Sequence, residues 1–257
     1  MLDILRPYFR GPWAPFGETL QLASDAPSTA PRVAEWLMSP GNLAAALQRH
    51  AWTLRSANAP RAVASDWTRR YLATLLPPMM GVLSLARRTV PASWHDMSVV
   101  TGNHGLPTAF AITQVGERSD VDSAAMPRYE SLVWEHLRPL IDHLGRHARL
   151  PRQIAWGNVH RTLKNFFARA LEACHRDEGL AQRVRDDQEG LLTLASWRDG
   201  RANPLFLRSR ETLLAGEVIT LHATCCLSHQ LAAKKYCRAC PLRPELSMEC
   251  DTTEMDA

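Results

Sequence analysis

The sequence predicts an α+β fold: an α-rich body, a small and largely antiparallel sheet, and a cysteine-bearing loop near the C-terminal end. Three observations predict it. Long segments repeat apolar residues at helical spacing, short β-branched runs flank a Gly-Asn-His-Gly turn, and an alternating run at 217–222 leads into the cysteines. With 257 residues, 46% hydrophobic and 22% charged, the chain can bury a sizeable core, which excludes disorder and a disulfide-stapled miniprotein.

Along the chain, Ser39-Pro40 reads as an N-cap and first helical residue, opening a helix through Leu43, Leu47 and His50. A second helix is expected over 61–76, ended by Pro77-Pro78, with a short apolar helix resuming at 79–86. Residues 98–101 and 108–115 read as a strand pair about the turn at 102–105. Helix returns at 129–147 despite Pro139, and Leu163, Phe166, Phe167, Ala170, Leu171 and Cys174 form the stripe of a one-sided buried helix. Residues 183–189 read as a charged connector. Asn203-Pro204-Leu205-Phe206 opens an extended stretch, whose strands near 204–223 are expected to join those near 97–115 in one sheet. The implied organisation is a mainly helical part (1–95), a mixed body (96–222), a cysteine segment (223–243) and an acidic, flexible tail (244–257).

Net charge is +4, too little to argue for nucleic acid. The opening Met-Leu-Asp-Ile-Leu-Arg-Pro does not read as an export signal, and 97–116, the longest stretch without Asp, Glu, Lys or Arg, is interrupted by Gly102, Asn103, Gly105 and Pro107. A cytoplasmic address is expected, where six cysteines read as metal ligands or free thiols rather than disulfides.

Four of the six form C-C-x10-C-x2-C: Cys225, Cys226, Cys237 and Cys240. A C-x2-C turn lets two thiolates converge on one ion. Adjacent cysteines on a regular strand point to opposite faces, so the strand must end or kink near Cys225 for both to reach one site. A structural zinc site usually pairs two C-x2-C knuckles, whereas two pairs of thiolates suit a [2Fe-2S] cluster, each iron taking two protein ligands. His222 and His229 flank the first pair and would make a mixed Cys/His site. Cys174 reads as core, Cys250 has no partner at ligand spacing, and His143 and His147, one helical turn apart, read as a solvated face.

The cysteine pattern resembles that of the FhuF-type ferric-siderophore reductases. The chain is similar to them also in Leu-Leu-Pro-Pro-Met at 75–79, Trp-Gly-Asn at 156–158 and Asn203-Pro204-Leu205. The resemblance implies one [2Fe-2S] cluster per chain on the four cysteines and one-electron reduction of a hydroxamate-type ferric siderophore. The alternatives are an iron–sulfur sensor or adaptor without turnover and a zinc-stabilised interaction module. No nucleotide-binding glycine motif appears, so electrons are expected from a separate ferredoxin-like protein or soluble reductase. Trp67, Tyr71, Trp156 and Asn158 are expected to converge on the siderophore. Arg238, Lys234 and Lys235 are expected to favour the reduced cluster. Seven basic residues between Arg146 and Arg176, against Glu172 alone, offer a docking surface for an acidic donor or for anionic lipid headgroups at the membrane, with Arg161 and Lys164 at its centre.

Overall fold

The computed structural model describes residues 1–118, 125–214, 216–232, 234–244 and 246. Its axis is a helix, α4 (Pro60–Met80), with Trp67, Tyr71, Leu72, Leu75, Leu76 and Met79 buried. Three helices precede it: α1 (Ala14–Gly17), α2 (Val33–Met38) and α3 (Asn42–Thr53). After it come α5 (Ala125–Glu130), α6 (Arg138–His147), α7 (Arg152–Ala173) and α8 (Glu178–Leu192). The core extends from Leu2 to Leu205, with α7 packed along α4 through Val159, Leu163, Phe166 and Phe167.

The expected end of α4 at Pro77-Pro78 is corrected: the helix runs through both prolines and widens into a π-helical turn at Gly81–Leu85. A proline lacks the N–H that would bond the carbonyl four residues back. For Pro78 that carbonyl is Thr74 O, and the Thr19 hydroxyl lies 2.7 Å from it. Gly81 admits the Phe9 ring, which a Cβ would meet at 2.5 Å. Pro139 is tolerated because residues 131–137 already form a π-helical stretch and it falls in the first turn of α6.

Two further boundaries differ. Ser39-Pro40-Gly41 is a turn between α2 and α3, with the Ser39 hydroxyl donating to Glu35 O at 2.7 Å, because α2 already occupies the residues before it. Residues 183–189 belong to α8. Its N-terminus is capped by Asp177, which accepts from Leu180 N at 2.9 Å, and Leu180, Ala181, Val184 and Leu191 face the core. Charge on one face of a helix conceals an apolar stripe on the other.

The predicted strand pair is present. β2 (Ser98–Thr101) and β3 (Pro107–Ile112) are antiparallel, with Val99 opposite Phe110. On the other edge of β3, β1 (Leu20–Leu22) runs parallel, Leu20 opposite Phe110. The expected single sheet is corrected: β4 (Glu211–Leu214) and β5 (Glu217–Thr220) form a separate hairpin. Leu213 and Val218, paired on one face, are mostly exposed, and on the other face Leu214 and Ile219 are only half-buried, so the hairpin adds no fully buried side chain to the core.

Two polar networks cross the core. Asp187 accepts from Arg128 Nη2 and Tyr129 Oη, each at 2.6 Å, and from Ser84 Oγ at 2.7 Å. Tyr71 Oη lies 2.6 Å from His136 Nε2, and His136 Nδ1 lies 3.0 Å from Ala92 O. The neutral imidazole serves both neighbours by accepting from the tyrosine and donating to the carbonyl. Burial holds the His136 pKa down at about 4. The unfolded chain therefore takes up a proton below pH ~6.5 that the native protein refuses, and stability falls between pH ~6.5 and 4, by roughly 3 kcal/mol for this group. Urea midpoints should decline over that range, and a His136→Gln variant should decline less steeply.

Candidate metal and redox centre

β5 ends at Thr220, and the chain reaches the cysteines through four residues outside the strand. The His222 N–H donates to Ala239 O at 2.9 Å, tying this approach to the C-x2-C turn. The kink required between adjacent cysteines comes just after them: Leu227 is left-handed (φ 61°), and its N–H points at Cys225 Sγ, 3.3 Å away.

α4 and α7 hold this segment where they cross. Ser65 Oγ donates to Cys226 O at 2.8 Å, and Asn158 Nδ2 donates to Ser65 Oγ at 3.0 Å. From α4, Arg69 Nη1 reaches Ser228 Oγ at 2.8 Å, and the Asp66 carboxylate pairs with Lys234 Nζ at 3.7 Å. From α7, Arg161 Nη2 donates to Thr224 O at 3.1 Å. Burial raises the pKa of Asp66, but His50, Lys234, Arg69 and Arg70 outweigh it and leave the group below the usual carboxylate range. The carboxylate thus keeps its hold until pH falls beneath that range.

The sulfurs gather on this platform. Cys225 Sγ and Cys240 Sγ are 3.6 Å apart, and Cys225 Sγ is 3.7 Å from His229 Nδ1. Cys225, His229 and Cys240 form the group with metal-ligand spacing found among the described residues, their donor atoms all within 4.8 Å of one another. Cys226 and Cys240 are buried, Cys225 is half-buried and Cys237 is exposed. Burial raises the Cys240 thiol, and the hydrogen bond to Cys225 and the charges of Cys225 and Cys226 add to it. Burial likewise raises Cys237, with the charges of Cys240 and Cys226 adding to it. For Cys226, burial is outweighed by Ser228 and Arg161, which bring the thiol below its usual value. Thiols that oppose one another's ionisation favour a cation between them.

The other expected residues lie elsewhere. Trp67 and Tyr71 are fully buried, Trp67 Nε1 donating to Gly105 O at 2.8 Å. Asn158 is buried beneath the cysteines, whereas Trp156 lines a cavity of about 360 Å³ with Trp134, Arg138 and Arg201. These four do not share one accessible cleft, because residues two apart on α7 leave it on different sides. His222 lines a small cavity beside His160 and Arg161. His229 stacks on Tyr236, ring centroids 4.3 Å apart. His143 is packed against Trp94 and His147 rather than solvated. Cys174 is core, as expected, and Cys250 and nearly all of the acidic tail lie outside the described residues.

Two of the three expected cations are otherwise engaged, and Lys235 is exposed. Arg238 pairs with Glu217 and Lys234 with Asp66, while Arg161, read from sequence as part of a docking surface, is the cation that acts on Cys226. The basic run is not one open face either, since Arg152 pairs with Asp142 at 2.8 Å and Arg169 lies over the Phe16 ring.

The Trp-Gly-Asn step now has a physical reason. A Cβ on Gly157 would meet Thr224 Oγ1 at 1.8 Å, so glycine lets the residue before Cys225 lie against α7. Gly157→Ala should displace Thr224 and reduce metal retained on purification several-fold with little loss of helix content, read by metal analysis and circular dichroism. Unchanged retention would show that the close approach is dispensable.

No helix among the described residues is long and apolar enough to cross a membrane. No curated protein matches the chain. The model of one family, ferric iron reductase FhuF-like transporter, matches residues 65–215, a span that begins at Ser65 on α4 and includes α7 and β4, and it stops short of Cys225, Cys226, Cys237 and Cys240. That match covers more than half of the sequence, and the chain belongs to the FhuF-like ferric iron reductase family.

Proposed function

We propose that the protein is a cytoplasmic ferric-siderophore reductase that holds one [2Fe-2S] group on Cys225, Cys226, Cys237 and Cys240 and passes one electron to chelated Fe(III). The observation that carries the reading is the approach of Cys225 and Cys240, from opposite ends of C-C-x10-C-x2-C, to 3.6 Å in a chain of a ferric iron reductase family. What supports the group is the chemistry of the donors: four thiols in the motif, of which Cys225 and Cys240 stand with His229 at ligand spacing while Cys226 and Cys237 lie outside that group, no carboxylate among the three, and a backbone N–H aimed at one sulfur.

Such a group supplies one electron at a time. The chain's own residues set the conditions. Ser65, Asn158 and Arg69 fix the cysteine backbone, Leu227 N–H and Ser228 Oγ meet sulfurs, and Arg161 places a fixed positive charge beside Cys226. Positive charge and hydrogen bonds to sulfur favour the more negative, reduced state. Hydroxamate oxygens hold hard Fe(III) far more tightly than Fe(II), so one electron releases the metal as Fe(II). The electron comes from a separate donor, either ferredoxin-like or a soluble reductase.

A second reading rests on one distance, Cys225 Sγ to His229 Nδ1 at 3.7 Å: a mixed Cys/His site in which the histidine replaces a cysteine, holding zinc or iron. Anaerobic protein should contain about two iron and two sulfide ions per chain. Each Cys→Ser change at the four positions should abolish or shift the visible absorption, and His229→Ala should leave it in place. Reduced protein mixed with a ferric tris-hydroxamate should reoxidise with equal production of trapped Fe(II). Zinc without iron, or a reduced form indifferent to ferric chelates, would overturn the assignment.

A further inference from the structure

Beside the cysteine platform, α4 and α7 enclose a cleft of about 460 Å³. Arg69, Arg70, Arg161 and Arg169 line it, and no carboxylate does. Arg69 and Arg70 share Asp66, at 3.4 and 3.7 Å, with His50 and Lys234. Among the described residues neither Arg161 nor Arg169 has a carboxylate within 4.0 Å. Positive charge therefore accumulates in a recess that is also lined by aromatic rings, with Trp13 stacked on Phe166 at 5.8 Å and Phe16 beneath Arg169.

Two buried atoms of the residues lining the cleft also lack a partner among the described residues: Arg161 Nε, a donor, and Asn158 Oδ1, an acceptor on a side chain only 1% exposed. Buried polar atoms in native proteins are normally paired with protein groups, ordered water or a ligand, and the open cleft gives the last two access to this pair. An anion with a neighbouring N–H or O–H group satisfies the two together.

We infer that this cleft receives the ferric chelate and selects chelates of net negative charge, whose carboxylate or other anionic groups pair with Arg161 and Arg169. The inference rests on the reductase reading above and adds the substrate's place and charge class. The cleft adjoins the cysteine segment: Arg161 Nη2 donates to Thr224 O at 3.1 Å, and Arg69 bonds Ser228 Oγ, itself 3.2 Å from Cys226 Sγ. In the step, Fe(III) of the chelate would gain the one electron that a reduced [2Fe-2S] group held by the cysteines would supply. The chelate thereby becomes more negative by one charge, so the four guanidiniums stabilise the product of electron transfer more than its reactant.

The test uses one tris-hydroxamate chelator with a pendant amine in three forms: free amine (cationic), acetylated (neutral) and succinylated (anionic). Loaded with redox-inert Ga(III), each is titrated into the full-length, cofactor-loaded protein by calorimetry at low and high salt. Affinity should rise from cationic to neutral to anionic by roughly three- to tenfold per unit of charge, and the order should flatten in salt. An Arg70→Gln/Arg169→Gln variant should keep its visible absorption and lose the preference. Equal affinities for the three forms, or a variant that keeps the preference, would overturn the inference. The Fe(III) forms, mixed with reduced protein, test the reductase reading separately. Equal binding with rapid reduction defeats only the charge-selective cleft, whereas selective binding without reduction sustains the cleft and defeats the reductase.

Discussion

Everything at the cysteine centre depends on how closely α4 and α7 cross. At that point the side chains are short: Ser65 on one helix, Gly157 and Asn158 on the other. Their small size lets a third segment, residues 224–228, sit on the crossing and bond to both helices. The Asn158–Ser65–Cys226 relay converts helix packing into the placement of a backbone carbonyl, and the side chains of both cysteines follow from it.

The same crossing explains why charge is distributed unevenly. Arginines on α4 and α7 converge as the helices approach, and among the described residues only Asp66 offsets them locally. Arg161 is pinned between the Thr224 carbonyl and the thiol of Cys226. One side chain thereby belongs to the scaffold, to the electrostatics of the sulfurs and to the wall of the neighbouring cleft.

Spacing made the approach of Cys225 to Cys240, the β2–β3 pair and the buried stripe of α7 legible in the sequence, because each is a local pattern, whereas the place of His229 beside those two sulfurs was only one of the alternatives that the spacing offered. What was not legible depends on distant partners. Pro77-Pro78 reads as a stop until Thr19 is seen beside the freed carbonyl of Thr74, 55 residues further along the chain. Lys234 and Arg238 read as charges beside the cysteines until Asp66 and Glu217 take them up. Arg161 looks like one of seven surface cations, and nothing local tells it from Arg152, which pairs with Asp142. Aromatic residues such as Trp67 and Trp156 carry no mark of whether they face core or cleft.

The arrangement of β1, β3 and α4 also dictates an order of assembly. Synthesis runs from the N-terminus, so Thr19 and Leu20 emerge first but wait for Thr74 and Phe110. Such long-range closures slow folding. The cysteine segment emerges after α4 and α7 and has nowhere to bind until those helices have packed. The platform that receives its thiols is therefore built before a metal held there can contribute to stability.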